Sequence, residues 1–134
     1  MANPNIVNVG NIYGNTAYVT PNATTANTAW TYNGTTSLTG LTPATGTVNR
    51  VTSIIVANNT ASAATATVAV GNNATFSSAT TLGYFANQIS VPPHASLIVV
   101  DKSTSFYVTE NQSLGVYTGT ANALSFTAVF EAIS

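Results

Sequence analysis

Apolar residues recur at every second position over much of this chain. Ala64, Ala66, Val68 and Val70 point one way, while Thr65, Thr67 and Ala69 point the other. Leu124, Phe126, Ala128, Phe130 and Ala132 alternate in the same way with Ser125, Thr127, Val129 and Glu131. An extended backbone sends successive side chains to opposite faces, so both segments predict half-buried antiparallel strands. Ser53-Ile54-Ile55-Val56-Ala57 and Leu97-Ile98-Val99-Val100 are apolar on both faces and predict central strands. Thr, Val, Ile, Tyr and Phe, which dominate these runs, all favour strands. Alanine is abundant, but it is interleaved with Thr, Asn and Ser, whose side chains compete for backbone hydrogen bonds and weaken helices. No amphipathic helix longer than a turn or two is visible.

Turn chemistry divides the pattern at short intervals. Asn58-Asn59-Thr60, Gly71-Asn72-Asn73, Pro92-Pro93-His94, Lys102-Ser103-Thr104, Glu110-Asn111-Gln112 and Thr118-Gly119-Thr120 each close a strand. The second half therefore predicts strands near 83–91, 95–101, 105–109, 113–118 and 122–133, read as a C-terminal meander. The fold expected for residues 1–134 is one all-β domain, a single antiparallel β-sandwich of jelly-roll or immunoglobulin-like type. The first 46 residues are nearly low-complexity Asn, Thr, Ala and Gly, with Trp30, Tyr32, Leu38 and Leu41 as the large apolar anchors. Short strands fit near 5–9, 16–20 and 28–32. This part reads either as half of the sandwich or as an extended N-terminal arm ordered against a neighbouring subunit.

Composition narrows the function. Of 134 residues, five carry full charge: Arg50, Lys102, Asp101, Glu110 and Glu131. A folded chain of this mass exposes on the order of 6,600 Å², so the surface is mostly neutral, drawn from 24 Thr, 16 Asn and 12 Ser. Two basic side chains make no phosphate-neutralising patch, which argues against nucleic acid as a partner. The same scarcity argues against a charged membrane-surface role, and no apolar run approaches the ~20 residues that span a bilayer. With no cysteine and one histidine, thiol chemistry and a multi-histidine metal site within one chain are excluded. The opening MANPNIVNVG lacks the positive start and apolar stretch of a signal peptide, so synthesis in the cytoplasm is expected.

Candidate chemistry is sparse. A hydrolase would have to use His94 with Asp101 and a hydroxyl, yet nothing in their spacing orients a base on a nucleophile. Asp101, Glu110 and Glu131 fall on separate turns and strand ends, and no cluster offers the six or more oxygens of a calcium site. No cofactor is expected: Gly10 and Gly14 are isolated, with no phosphate-cradling loop and following helix. Five Asn-x-Ser/Thr sequons, at Asn22, Asn33, Asn58, Asn73 and Asn111, are close to what chance predicts for this composition and carry no signal. Thr65-Ala66-Thr67 suggests an ice-binding hydroxyl array, but the sustained repeat such a solenoid needs is missing. Trp30, Tyr32, Tyr84 and Tyr107 would make a sugar-stacking platform if they faced outward; otherwise they pack in a core or a subunit interface.

Several segments carry a family likeness. They are the opening NPNIVNV, the middle NRVTSIIVANN, the proline turn before Leu97-Ile98-Val99-Val100-Asp101-Lys102, the stretch FYVTENQSL and the terminal EAIS. Together these resemble small virion structural proteins of tailed bacteriophages that infect marine cyanobacteria and related hosts. Arg50 stands where that family carries a basic residue before its Ser-Ile-Ile core. The family's acidic turn is diluted here to Glu110-Asn111-Gln112, and its Glu-Glu-Ile-Ser ending becomes Glu131-Ala132-Ile133-Ser134, which implies a more neutral surface. The resemblance implies a sandwich assembled on a capsid or tail, without enzymatic activity and with no catalytic residues to carry over. The expected function is a capsid decoration (cement) protein on the virion exterior, with the major capsid protein and copies of itself as partners. Shell lattices offer three-fold positions, so a homotrimer is the expected assembly. Asn3, Ile6, Val7 and Val9 of the opening segment, with Trp30 and Tyr32, are the expected contact residues. The alternative is a tail- or fibre-associated module that contacts the host surface or a glycan.

Overall fold

The computed structural model describes residues 9–32, 35–77 and 80–134. Ten strands follow in order: β1 (Ile12–Val19), β2 (Ala29–Tyr32), β3 (Thr36–Thr39), β4 (Val48–Asn58), β5 (Ala64–Gly71), β6 (Thr81–Val91), β7 (Ser96–Val100), β8 (Phe106–Val108), β9 (Ser113–Thr118) and β10 (Leu124–Ile133). They form two antiparallel sheets. The larger runs β3-β2-β1-β10-β4-β7, with β8 also paired to β4; the smaller runs β6-β5-β9. Their inner faces share one core, to which β4 and β10 of the large sheet and β5 and β9 of the small sheet contribute most. The architecture is an all-β sandwich, divided seven strands against three.

The alternation read from the sequence sets which side chains enter that core. Leu124, Phe126, Ala128 and Phe130 of β10 are buried, as are Ala64, Ala66, Val68 and Val70 of β5. Burying a residue such as Phe126 or Ile54 contributes roughly 1.5–3 kcal/mol each. Trp30, fully buried, donates its indole N–H to the Leu114 carbonyl at 3.1 Å and so ties β2 of one sheet to β9 of the other. Buried amides are likewise satisfied. Asn49 donates to the Leu41 carbonyl at 2.7 Å, and Asn58 donates to the Ser62 and Val91 carbonyls at 2.8 and 3.0 Å.

Two expectations change. The five C-terminal strands lie at the expected places, but they do not pair as a meander. β6 and β9 flank β5, β7 and β8 share one edge of β4, and β10 inserts between β1 and β4. The chain crosses between the sheets from β6 to β7, from β8 to β9 and from β9 to β10, because both sheets need apolar faces from this half of the chain. Second, Ser53–Ala57 is central but buried on one face only: Ile55 is 39% exposed. Ile98, on the edge strand β7, is 65% exposed. In a two-sheet sandwich each sheet is covered on one side, so an outward Ile stays in water. Residues 9–32 and 35–46 contribute β1, β2 and β3 to the large sheet.

Candidate functional site

The outward residues of the large sheet line up because register is locked strand by strand. Ser37 lies opposite Thr31, Thr31 opposite Tyr18, Tyr18 opposite Thr127, Thr127 opposite Ile55, and Ile55 opposite Ile98. This row crosses six strands. Beside it run Thr16, Val129 and Ser53, then Gly14, Glu131, Arg50 and Tyr107. Tyr18, Ile55, Ile98, Tyr107 and Val129 are all well exposed. At ~4.8 Å between strands and ~3.3 Å per residue, this face covers on the order of 700 Å².

Its electrostatics are close to nil. Arg50 and Glu131, directly opposed on β4 and β10, approach at 3.8 Å and form the one ion pair among the described residues. Both are about a third exposed, so the pair contributes little to stability. Its consequence is that the face carries no net charge. Arg50 also donates to the Ser105 hydroxyl at 3.3 Å.

The candidate catalytic groups are held apart by the strands that carry them. His94 sits exposed in the β6–β7 turn with φ 53°, and its N–H bonds the Thr60 carbonyl just beyond the end of β4. Glu110 accepts from the Gly46 N–H at 2.6 Å, just before the start of β4. The length of β4 therefore separates them, roughly 30 Å of extended chain. Asp101 lies at the far end of β7 from His94, roughly 20 Å away along the strand. There it caps a 3-10 turn over Lys102–Thr104, accepting from the N–H groups of Ser103 and Thr104 and from the Ser103 hydroxyl at 2.6 Å. Those bonds, the Ser103 hydroxyl foremost, hold the Asp101 carboxyl below its ordinary range. Glu131 is on the open face of the large sheet. His94 and these carboxylates thus form no common site, and no group of three or more His, Asp or Glu suited to a metal occurs among the described residues.

The expected contact residues fare differently from one another. Asn3, Ile6 and Val7 lie outside the described residues. Val9 is half-buried where the chain enters β1; the next two N–H groups, of Gly10 and Asn11, both bond the Ser134 carbonyl. Trp30 is corrected: its ring is fully buried in the chain's own core, so it has no surface to offer a partner or a sugar. The large sheet is wider than the small one, and its inner face extends past the core as a cleft of about 290 Å³. Tyr32 lines this cleft, edge-on to Phe130 at 6.0 Å, half-buried and not outward-facing. Tyr84 and Tyr107, by contrast, are exposed, Tyr84 on the small sheet and Tyr107 on the large one.

Sequence reasoning missed Tyr18, Ile55 and Ile98 as surface residues. The alternation around Thr127 put Val129 on the outward face of β10, but no comparable pattern marked the other three. Compared with known protein families, with curated proteins and with solved structures, the chain finds no match.

Proposed function

We propose that this chain is a non-enzymatic structural protein of a phage virion, a decoration protein that docks the outer face of its seven-stranded sheet on the capsid shell. The observation that carries the reading is that face itself: a six-strand row of Thr, Ser, Tyr and Ile with its two charges mutually neutralised. Burying such a surface avoids the several kcal/mol that an unpaired ion would cost. About 700 Å² per copy falls at the modest end of a stable interface. Many copies on a symmetric lattice would convert that modest contact into durable attachment. Because little of the contact is ionic, it would hold at high ionic strength. Homotrimer formation, as expected from the three-fold positions of a shell, belongs to the same reading.

Cryo-electron microscopy of the virions that contain this chain is the test. The expected result is density for the sandwich on the shell exterior, with β1, β10, β4 and β7 against the capsid protein. Density confined to the tail would overturn the capsid assignment and favour the tail-associated alternative.

A further inference from the structure

The opposite face of the sandwich carries a second feature, which stands independently of where the protein docks. On the small sheet, Thr65, Thr67 and Ala69 of β5 lie on the face away from the core, where Thr65 is half-buried and Thr67 and Ala69 are buried. Tyr117 of β9 is opposite Thr67, and Tyr84 of β6 is opposite Ala69. One end of this face is closed by the buried Phe76, which lies over Gly115 so closely that a Cβ there would meet its ring at 2.5 Å. Tyr117 rests edge-on against Phe76, with ring centres 5.8 Å apart and planes at 80°. What remains open is a groove of about 310 Å³ between Tyr84 and Tyr117, lined also by Thr65 and Thr67. That volume is at the lower end for small-ligand clefts.

The backbone of β6 adds two amides to it. Ile89 pairs with Ala66 and Ala86 with Val68, so Asn87 and Gln88 together stand against the single residue Thr67. Regular alternation would send these two neighbours to opposite faces; the bulge instead puts both at the groove. Gln88 holds φ 53°, a left-handed conformation that suits glycine far better, and its N–H bonds the Thr67 hydroxyl at 2.9 Å. Left-handed residues inside strands persist where the local shape has a use.

We propose that this groove binds a neutral saccharide. Its lining has no charged side chain, which argues against phosphates, nucleotides and acidic sugars. Hydroxyls and amides outnumber apolar groups, which argues against a lipid or an apolar ligand. A sugar ring has an apolar C–H face to lie on Tyr84, and hydroxyls that both donate and accept toward Asn87, Gln88 and Thr65. Tyr84, 54% exposed, is the ring most available for stacking.

The test is an array of neutral and acidic oligosaccharides probed with the full chain, followed by calorimetric titration of the best ligand. Neutral glycans should bind, and Tyr84→Ala or Asn87→Ala should each weaken binding about tenfold. Both positions are exposed, so thermal unfolding of the variants should stay near that of the parent. Raising NaCl from about 50 to about 500 mM should leave the affinity nearly unchanged. Tyr18→Ala, on the other sheet, should bind as the parent does. The proposal is overturned if no neutral glycan binds, if binding survives both groove substitutions, or if acidic glycans bind best in a salt-sensitive way. Asn87→Ala keeps the test decisive should Tyr84→Ala fold poorly.

Discussion

Trp30 brings a large ring and one polar N–H into the core, and the structure satisfies both. The ring fills space between the sheets, while the N–H reaches the Leu114 carbonyl at 3.1 Å. Trp30→Ala should therefore cost about 3–5 kcal/mol in urea unfolding. Trp30→Phe keeps most of the apolar volume but strands that buried carbonyl, so about 1–3 kcal/mol is expected. An effect on partner binding with unchanged stability would contradict a core role. Asp101 shows the opposite case, an exposed residue whose charge has a local structural task. Its carboxylate is held below the ordinary 3.8 by the Ser103 and Thr104 bonds. With a folded-state pKa depressed below the unfolded one, the stabilisation is complete above the ordinary value. It is lost as pH falls from there through the folded pKa. Melting curves should accordingly show the parent above Asp101→Asn at neutral pH, with the gap closing on acidification below pH 3.8. A gap that persists or widens in acid would show that the cap acts through something other than its charge.

Among the elements, β6 and β9 determine what the small sheet can present. As an edge strand of 11 residues with Leu82, Tyr84, Phe85 and Ile89 exposed, β6 has the composition of an aggregation site. Three register shifts against β5 break its ladder into short pieces, a shape poorly suited to edge-to-edge pairing. Phe85, the extra residue of one shift, stacks on Phe106 of β8 at 4.1 Å and joins the two sheets along that side. The irregularity of β6 thus serves both edge protection and the placement of Asn87 and Gln88. On β9, Gly115 is required by Phe76, whose ring occupies the space a side chain would take. Gly115→Ala should push that ring outward and destabilise the fold by about 1–3 kcal/mol. Fluorescence or NMR of Tyr117, which packs on Phe76, would report the displacement. An unperturbed Tyr117 together with unchanged stability would show that the loop yields freely.

For the whole molecule, the sandwich has two outer faces that point in opposite directions, one broad and one narrow. If the broad face docks, the narrow face is presented to solvent, so attachment and saccharide binding would not compete. Tyr18→Asp and Ile98→Asp place an unpaired charge within the broad face while leaving the core intact, since both side chains are more than half exposed. Stability should change by no more than about 0.5 kcal/mol. Attachment should fall about tenfold or more for each, because a buried unpaired charge costs several kcal/mol. Co-sedimentation with particles lacking the protein is the measurement, and full attachment of both variants would rule out this face as the contact.

Strand identity and facing were legible in the sequence because they are local. Alternation along Leu124–Phe130 or Ala64–Val70 follows from backbone geometry, and the turns at Pro92-Pro93-His94 and Glu110-Asn111-Gln112 follow from the residues within them. β3 escaped notice because Thr36-Ser37-Leu38-Thr39 holds a single large apolar residue, too weak a pattern to separate from loop. Pairing belonged to the tertiary structure alone. That β10 sits between β1 and β4, that Arg50 faces Glu131, and that Trp30 meets Leu114 all join residues at least 66 positions apart. The groove likewise gathers residues from the 60s, 80s and 110s, which no single segment contains. Such contacts arise when two sheets bury their apolar faces together, and a one-dimensional pattern specifies which face is buried without specifying which strand lies beside it.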